Sequence, residues 1–361
     1  MDRVNAAKRI VSVMLLGVVM LASFGPSAAQ DAAECEPGFR LFDHALLATD
    51  PVCIPENPQR IVALDTSAAE LLLFTDKELV ATFGVYVKDE LIAALPALAG
   101  RLEPAQSLDW PVNLEVLLTL SPDLIAAYTN DTMTYDQLSQ IAPTVILDAG
   151  IAEGDWKSAT EFWSDVFNVP DVYADMAATY DARVAELQAA LGDDRADTEV
   201  SLVLASSYFN MINTLDAPNG FILQDVGLGR PASQALDSDA SMAAYGNTTY
   251  AMISEEAFDV FDGDVIILFT FPALGDEAIA ASDQYLADFQ AGPLWQSLSA
   301  VRDGRVYLGS YAWARANTYL LANAVLDDLF AFLTDTEATT PNPITAIGAA
   351  SEATPEATEA S

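Results

Sequence analysis

Apolar residues along this chain switch between short continuous runs and helical steps, and that alternation divides the sequence. Arg60-Ile-Val-Ala-Leu64 is a short apolar run, which predicts a buried strand. Ser67-Ala-Ala-Glu70 follows it, a capping-box pattern that predicts a helix through Phe74. Leu79 to Phe83 predicts a second strand ending at Gly84, and Asn113 to Leu120 a helix broken by Ser121-Pro122. Asp123 to Ala127 predicts a third strand, Tyr135 to Ile141 a helix, and Pro143 to Leu147 a fourth strand. Short alternating elements of this kind imply an α/β lobe built on a parallel sheet.

From Asp171 to Leu191 the period changes. Tyr173, Met176, Tyr180, Val184, Leu187 and Leu191 step by three or four, which predicts one long amphipathic helix opened by Pro170 and stopped by Gly192. At 1.5 Å per residue it spans about 31 Å, enough for a strut between two lobes. Val200-Ser-Leu-Val-Leu-Ala205 then begins a second alternating run, which ends in a helix from Arg315 to Leu333. The predicted organisation is a signal peptide (1–29), an N-terminal extension (30–56), a first α/β lobe (57–151), a connecting segment with the long helix (152–192), a second α/β lobe (193–333) and a tail (334–361). The tail, rich in Thr, Ala, Glu and Pro with no basic side chain, is expected to be disordered.

The two lobes repeat a pattern. Asn113-Leu-Glu115 is followed eight residues after the glutamate by Asp123-Leu-Ile125, and Ser254-Glu-Glu256 eight residues on by Asp264-Val-Ile266. Each copy reads as a helix opening on a carboxylate, a tight turn and a buried strand. A single glutamate in a first turn is common, because the helix dipole favours it. Two in matching positions suggest a pseudo-two-fold arrangement with paired surface carboxylates.

Charge narrows the partners. The chain holds 53 acidic and 15 basic residues, a net charge of −38, which repels phosphate backbones and argues against nucleic acid. Three of the basic residues, Arg3, Lys8 and Arg9, precede an apolar run from Ile10 to Phe24 and small residues Ser27-Ala28-Ala29, the three parts of a secretory signal. That run falls short of the roughly 20 residues needed to span a bilayer, so export is expected, to the periplasm or the outer face of the cytoplasmic membrane. In an oxidising compartment the two cysteines, Cys35 and Cys53, read as a disulfide. The alternative, lipidation of Cys35, is disfavoured by Glu34 and by the distance from the apolar run.

Catalytic motifs do not emerge. The single histidine, His44, lies in the N-terminal extension, which disfavours a Ser-His-Asp or Cys-His site and any His/Cys metal cluster. There is no phosphate-binding Gly-x-x-x-x-Gly-Lys loop, no His-Glu-x-x-His pair and no dinucleotide fingerprint. An enzyme is not expected; a secreted hydrolase built on two acids, or a sensor module, stays as the alternative from another class.

With these segments in place, the chain resembles the periplasmic substrate-binding proteins of the iron-siderophore and cobalamin class, which serve ABC importers. The residues that carry the resemblance are Asn57-Pro-Gln-Arg-Ile-Val-Ala-Leu-Asp65, Glu70-Leu-Leu-Leu73 and Asn113 through Ile125. In the second lobe they are Gly227-Leu-Gly-Arg-Pro231, Ile253-Ser-Glu-Glu256, and Leu294-Trp295 through Ala300-Val-Arg-Asp-Gly-Arg-Val-Tyr307. The resemblance implies the class III periplasmic-binding-protein fold: two Rossmann-like α/β lobes joined by one rigid helix, with the ligand in the cleft between them. It also implies that one glutamate on each lobe pairs with arginines of the membrane permease, and Glu115 and Glu256 match those positions.

In α/β sheets ligands sit outside the carboxyl ends of the strands. Tyr86, Lys88, Tyr128, Tyr208 and Trp313 fall at such ends, and Trp110 precedes the first Asn-Leu-Glu motif. Aromatic side chains offer a bulky chelate rigid contact area. Beyond the signal segment only three lysines and nine arginines remain, and an anionic chelate would draw arginine into the cleft. Arg230, in the Gly-Leu-Gly-Arg-Pro turn, is the leading candidate, with Arg315, Arg101 and Lys88 beside it. The expected ligand is a ferric siderophore, with cobalamin or heme as alternatives; no cofactor is expected, since iron would arrive inside its chelator. The expected state is a monomer that meets an ABC permease at the membrane.

Overall fold

A computed structural model describes residues 35–128, 132–148, 155–345 and 347; the segment read as a signal peptide lies outside them. The ordered chain opens with a hairpin of β1 (Phe39–Phe42) and β2 (Val52–Pro55), paired antiparallel. Cys35 and Cys53 are joined in a disulfide that ties the chain ahead of β1 to β2. His44 packs edge-on against Phe162 at 5.1 Å, and its Nδ1 accepts the N–H of Leu46, so the lone histidine is a packing residue of this extension.

Five strands follow: β3 (Arg60–Leu64), β4 (Glu78–Phe83), β5 (Gln106–Leu108), β6 (Leu124–Tyr128) and β7 (Thr144–Leu147). They form an all-parallel sheet in the order β5-β4-β3-β6-β7. The order reverses between β3 and β6, and that reversal opens a crevice at their carboxyl ends. The second sheet has the corresponding order, β10 (Tyr250–Ile253), β9 (Asn210–Asn213), β8 (Val200–Ala205), β11 (Val265–Phe269) and β12 (Val306–Leu308). Here β9 runs antiparallel to both neighbours. The cause is local: only Ser206 to Phe209 connect β8 to β9, and a parallel crossover needs a dozen residues or more.

The repeated sequence pattern has a structural counterpart. Asp123, just ahead of β6, accepts the N–H groups of Gln59 and Arg60 at the start of β3, at 2.7 and 3.0 Å. Asp264, just ahead of β11, accepts the N–H of Glu199 before β8, at 2.9 Å. In each lobe the aspartate registers the two central strands.

The strut is the helix Pro170–Leu191, whose buried face carries Met176, Tyr180, Val184 and Leu187. It also buries Arg183, which donates to the Asn323 carbonyl at 2.9 Å and side chain at 2.7 Å and pairs with Asp327. These partners lie on the last helix, Tyr319–Leu333, which packs along the strut. One apolar core runs from the first sheet through the helices Trp156–Phe167, Pro170–Leu191 and Tyr319–Leu333 to one face of the second sheet. Val200, Leu202 and Leu204 of β8 point into it, while Val203 and Ala205 point into a smaller core on the opposite face, as the two-residue period of a strand requires. The lobes are therefore joined by shared packing and not by a loose linker.

The tail departs from the sequence expectation of disorder beyond Thr334. Glu186 on the strut accepts the N–H and hydroxyl of Thr339 at 2.7 and 2.8 Å and the hydroxyl of Thr340 at 2.6 Å. These bonds hold its carboxyl down at about 2. Asn342 donates to Asp327 at 2.7 Å, and Ile347 is buried. Composition missed this because the anchoring acceptors lie outside the tail, on the strut and on the last helix. Residues 348–361 are outside the described part.

Candidate ligand-binding cleft

The carboxyl ends of β3, β4, β6 and β7 face segments of the second half of the chain across a cavity of about 460 Å³. From the first sheet come Asp65, Thr66 and Ser67 after β3, Phe83 at the end of β4, and Tyr128 at the end of β6. Pro218, Thr249, Arg315 and Asn317 come from the second half, and Trp156 opens the helix between the sheets. Its volume lies within the range of small-molecule sites, and its wall mixes aromatic surface with a few polar groups.

Asp65 shows how the local sequence builds this wall. The expected cap was Ser67 with Glu70 reaching back to it. The N-cap is instead Asp65, which accepts the N–H of Ala68 at 2.8 Å and starts the helix Thr66–Leu72. Burial raises its carboxyl to about 6, against the opposing effect of the N–H groups it accepts. Glu70 is buried one turn on and turns away from the cap. It accepts the N–H of Leu320 at 3.0 Å and pairs with the hydroxyl of Thr318.

Trp156 anchors the floor. Its ring meets Tyr180 at 5.4 Å and Tyr319 at 4.9 Å, both edge-on. Tyr180 donates to Asp225 at 2.8 Å, and Lys157 pairs with the same carboxylate at 2.7 Å. Both ring contacts of Trp156 are edge-to-face, an arrangement that aromatic pairs favour.

Arg315 is the cation on the cavity wall. Its Nε and Nη2 donate to the two carboxylate oxygens of Glu90 at 2.6 and 2.8 Å, and its guanidinium lies 5.7 Å from the Phe271 ring centre. Phe271 follows β11, whereas Glu90 follows β4, so the pair spans the junction between the two sheets. Asn317 lies beside it, with a buried Oδ1 that makes no hydrogen bond among the described residues.

The structure places some predicted ligand contacts on the cavity wall and others away from it. Tyr128 and Arg315 line the cavity, and the half-exposed Trp110 stands edge-on to Phe83 at 5.8 Å, next to its wall. Tyr208 tips the short β8–β9 turn and is 89% exposed. Arg101 closes the short helix Ala99–Leu102, away from the cavity lining. The side chains of Tyr86 and Glu256 lie outside the described part.

Three predicted contacts stand apart from the cavity lining, with their polar groups held by the protein itself. Arg230 is buried, donating to the carbonyls of Val200 and Asn213 at 2.9 and 2.6 Å and to Gln234 at 2.6 Å. Its motif is structural. Gly227 has a φ of +81° at a helix end, and a Cβ on Gly229 would lie 2.5 Å from the Ala196 carbonyl. Trp313 is also buried, donating to Asp328 at 2.8 Å, and a Cβ on Gly309 would come 2.5 Å from its ring. Lys88 is held by the carbonyls of Glu103 and Ala105 at 2.9 and 2.8 Å. In each case the side chain satisfies buried or backbone acceptors that no local pattern reveals.

Phe83, Trp156, Thr249 and Asn317 were not anticipated. Phe83 ends a predicted strand and was reachable by the same strand-end rule. Trp156 opens a helix, Trp156–Phe167, whose apolar spacing was not read as one, and Asn317 was placed inside the predicted last helix, which begins only at Tyr319.

On the outer surface, Asn113 caps the helix Leu114–Leu120 by accepting the N–H of Glu115 at 3.0 Å. Glu115 is exposed in its first turn, and Leu118 is exposed one turn later.

Comparison with known proteins agrees with this architecture. A protein of Bacillus subtilis (strain 168) named probable siderophore-binding lipoprotein YfiY is 28% identical over 336 residues, covering 90% of this chain and 97% of its own. The siderophore periplasmic binding protein from the fuscachelin gene cluster of Thermobifida fusca is 28% identical with a TM-score of 0.58, over 78% of this chain and 98% of its own. Staphylococcus aureus SirA, solved with staphyloferrin B, shares the fold at 23% identity with a TM-score of 0.65, over 81% of this chain and 98% of its own. The family model described as periplasmic binding protein matches residues 61–311. That match takes in both sheets, the strut and most of the cavity wall, and the protein belongs to the periplasmic binding protein family.

Proposed function

We propose that the protein is an exported solute-binding protein that takes up a ferric siderophore between its lobes and hands it to an ABC permease. The observation that carries this reading is the cavity at the junction of the two sheets. Aromatic groups (Phe83, Tyr128 and Trp156) offer flat contact area there, and Arg315 offers a guanidinium to an anionic chelate. Asn317 adds an acceptor for a ligand hydroxyl or amide. The siderophore-binding relatives support the ligand class, and the basic, apolar and small-residue segments of residues 1–29 support export. Glu115 and Glu256 are assigned to docking on permease arginines, a bidentate geometry that would fix the orientation of the carrier.

A cleft for cobalamin would not need a cation in its wall, so Arg315 favours the anionic chelate. Intrinsic tryptophan fluorescence tests the choice, because Trp156 lines the cavity and Trp110 stands on Phe83. Saturable quenching by ferric siderophores is expected. Quenching by cobalamin or heme alone would sink the proposal.

A further inference from the structure

The cations of this acidic chain are mostly committed to internal acceptors. Lys88 and Arg230 hold backbone carbonyls, Arg183 holds the last helix, and Lys157 holds Asp225. Arg315 differs, because its partner belongs to the opposite side of the cleft. Phe271 supports the guanidinium from the second sheet, while Glu90 reaches it from the segment after β4. The carboxylate is largely shielded, its side chain 15% exposed, whereas that of Arg315 is 41% exposed and lines the cavity.

The geometry of the pair is informative. Both Glu90 oxygens are engaged, one by Nε and one by Nη2, which is the side-on fork that guanidinium presents to a planar carboxylate. A second carboxylate cannot take that edge while Glu90 holds it. We propose that Glu90 is an internal competitor that occupies the ligand's place on Arg315, so that the cleft selects ferric chelates bearing a carboxylate able to displace it. This rests on reading the cleft as a chelate site and specifies the chemistry of that chelate. Binding is then an exchange of partners: the Glu90–Arg315 bonds break, a ligand carboxylate takes the fork, and a cross-link between the two sides of the cleft is released. A neutral chelate gains nothing from the exchange, and an anionic tris-catecholate keeps its paired ring oxygens on iron and has no free carboxylate to offer the fork.

The test measures tryptophan quenching by ferric citrate, a neutral ferric trihydroxamate and a ferric tris-catecholate, on wild type, Glu90→Gln and Arg315→Met. Glu90→Gln is expected to tighten ferric citrate about tenfold, the scale of one charge-assisted hydrogen bond, and to leave the trihydroxamate within about twofold. Arg315→Met is expected to lose ferric citrate. Should Glu90→Gln fail to fold, Glu90→Ala carries the same expectation. Weaker citrate binding in Glu90→Gln would make Glu90 a positioning residue and overturn the proposal. So would equal tightening of all three chelates, no change, or citrate bound by neither protein. These results would leave the chelate site standing as long as wild type bound any of the three. Binding of none would overturn both readings.

Discussion

Glu70 accepts the backbone N–H of Leu320 at 3.0 Å across 250 residues of sequence, and so caps the last helix from the first lobe. The same carboxylate pairs with Thr318, the N-cap of that helix, whose side chain accepts the N–H of Leu321 at 3.3 Å. A helix start buried in a core must satisfy its free N–H groups, and here the partner comes from another domain half. Glu70 thereby couples the wall of the cleft, which begins three residues upstream at Ser67, to the helix that clamps the strut.

Burial raises the Glu70 carboxyl from 4.5 to about 7, so the folded state holds its proton more tightly than the unfolded chain does. The stability this contributes is complete below pH 4.5 and is lost as the pH rises through about 7. Asp65, raised to about 6, acts in the same direction. Glu70→Gln keeps the hydrogen-bonding pattern of the protonated acid and removes the titration. Relative to its own value near pH 4.5, the variant is expected to gain on wild type by roughly 2–3 kcal/mol by pH 8. Thermal melts of both proteins at pH 4.5, 6 and 8 check this, and a difference independent of pH would refute it.

Arg230 is expected to matter for folding and not for the ligand. Arg230→Met removes the donor from the Val200 and Asn213 carbonyls and from Gln234. The cost is expected at about 2–4 kcal/mol, because buried acceptors lose their partner. Urea unfolding reads the loss, and chelate titration at a temperature where the variant is folded is expected to match wild type. A large drop in affinity with unchanged stability would return Arg230 to the ligand site.

Charge reversal at both proposed docking positions, Glu115→Lys with Glu256→Lys, is expected to separate capture from delivery. Glu115 stands exposed on its helix and outside the cavity lining, so chelate affinity is expected to stay within about twofold. Uptake of labelled ferric chelate by cells carrying the matching permease is expected to vanish, since two bidentate pairs become repulsive. Normal uptake would reject the docking role.

Much of the frame was legible because it obeys local periods. Arg60–Leu64 and Val200–Ala205 are strands over the residues their apolar runs marked, since strands buried on both faces need no polar alternation. The strut follows its three-and-four spacing from Met176 to Leu187. Strand β5 was missed because Gln106-Ser-Leu108 is short and polar, and it pairs only at the edge of the sheet. The cleft was legible only in outline: a strand end pointed to Tyr128, while Trp156 opens a helix that was not predicted and Asn317 lies just ahead of a helix that was predicted to include it.

By itself the sequence determined the alternation of elements, the two-lobed division, the long helix and the paired Asp123 and Asp264 motifs, because all of these follow from neighbours within a few turns or strand lengths. Tertiary structure decided the partners of the charged groups. Glu70 reads locally as half of a capping box and instead bonds Leu320; Arg230 reads as a free cation and is held by buried backbone carbonyls. Arg315 alone of the predicted cations lines the cleft cavity, with Glu90 from the other side holding its fork. A hydrophobic period records which face is buried. A charge records only that a partner is needed, and which partner meets it is settled when distant segments pack.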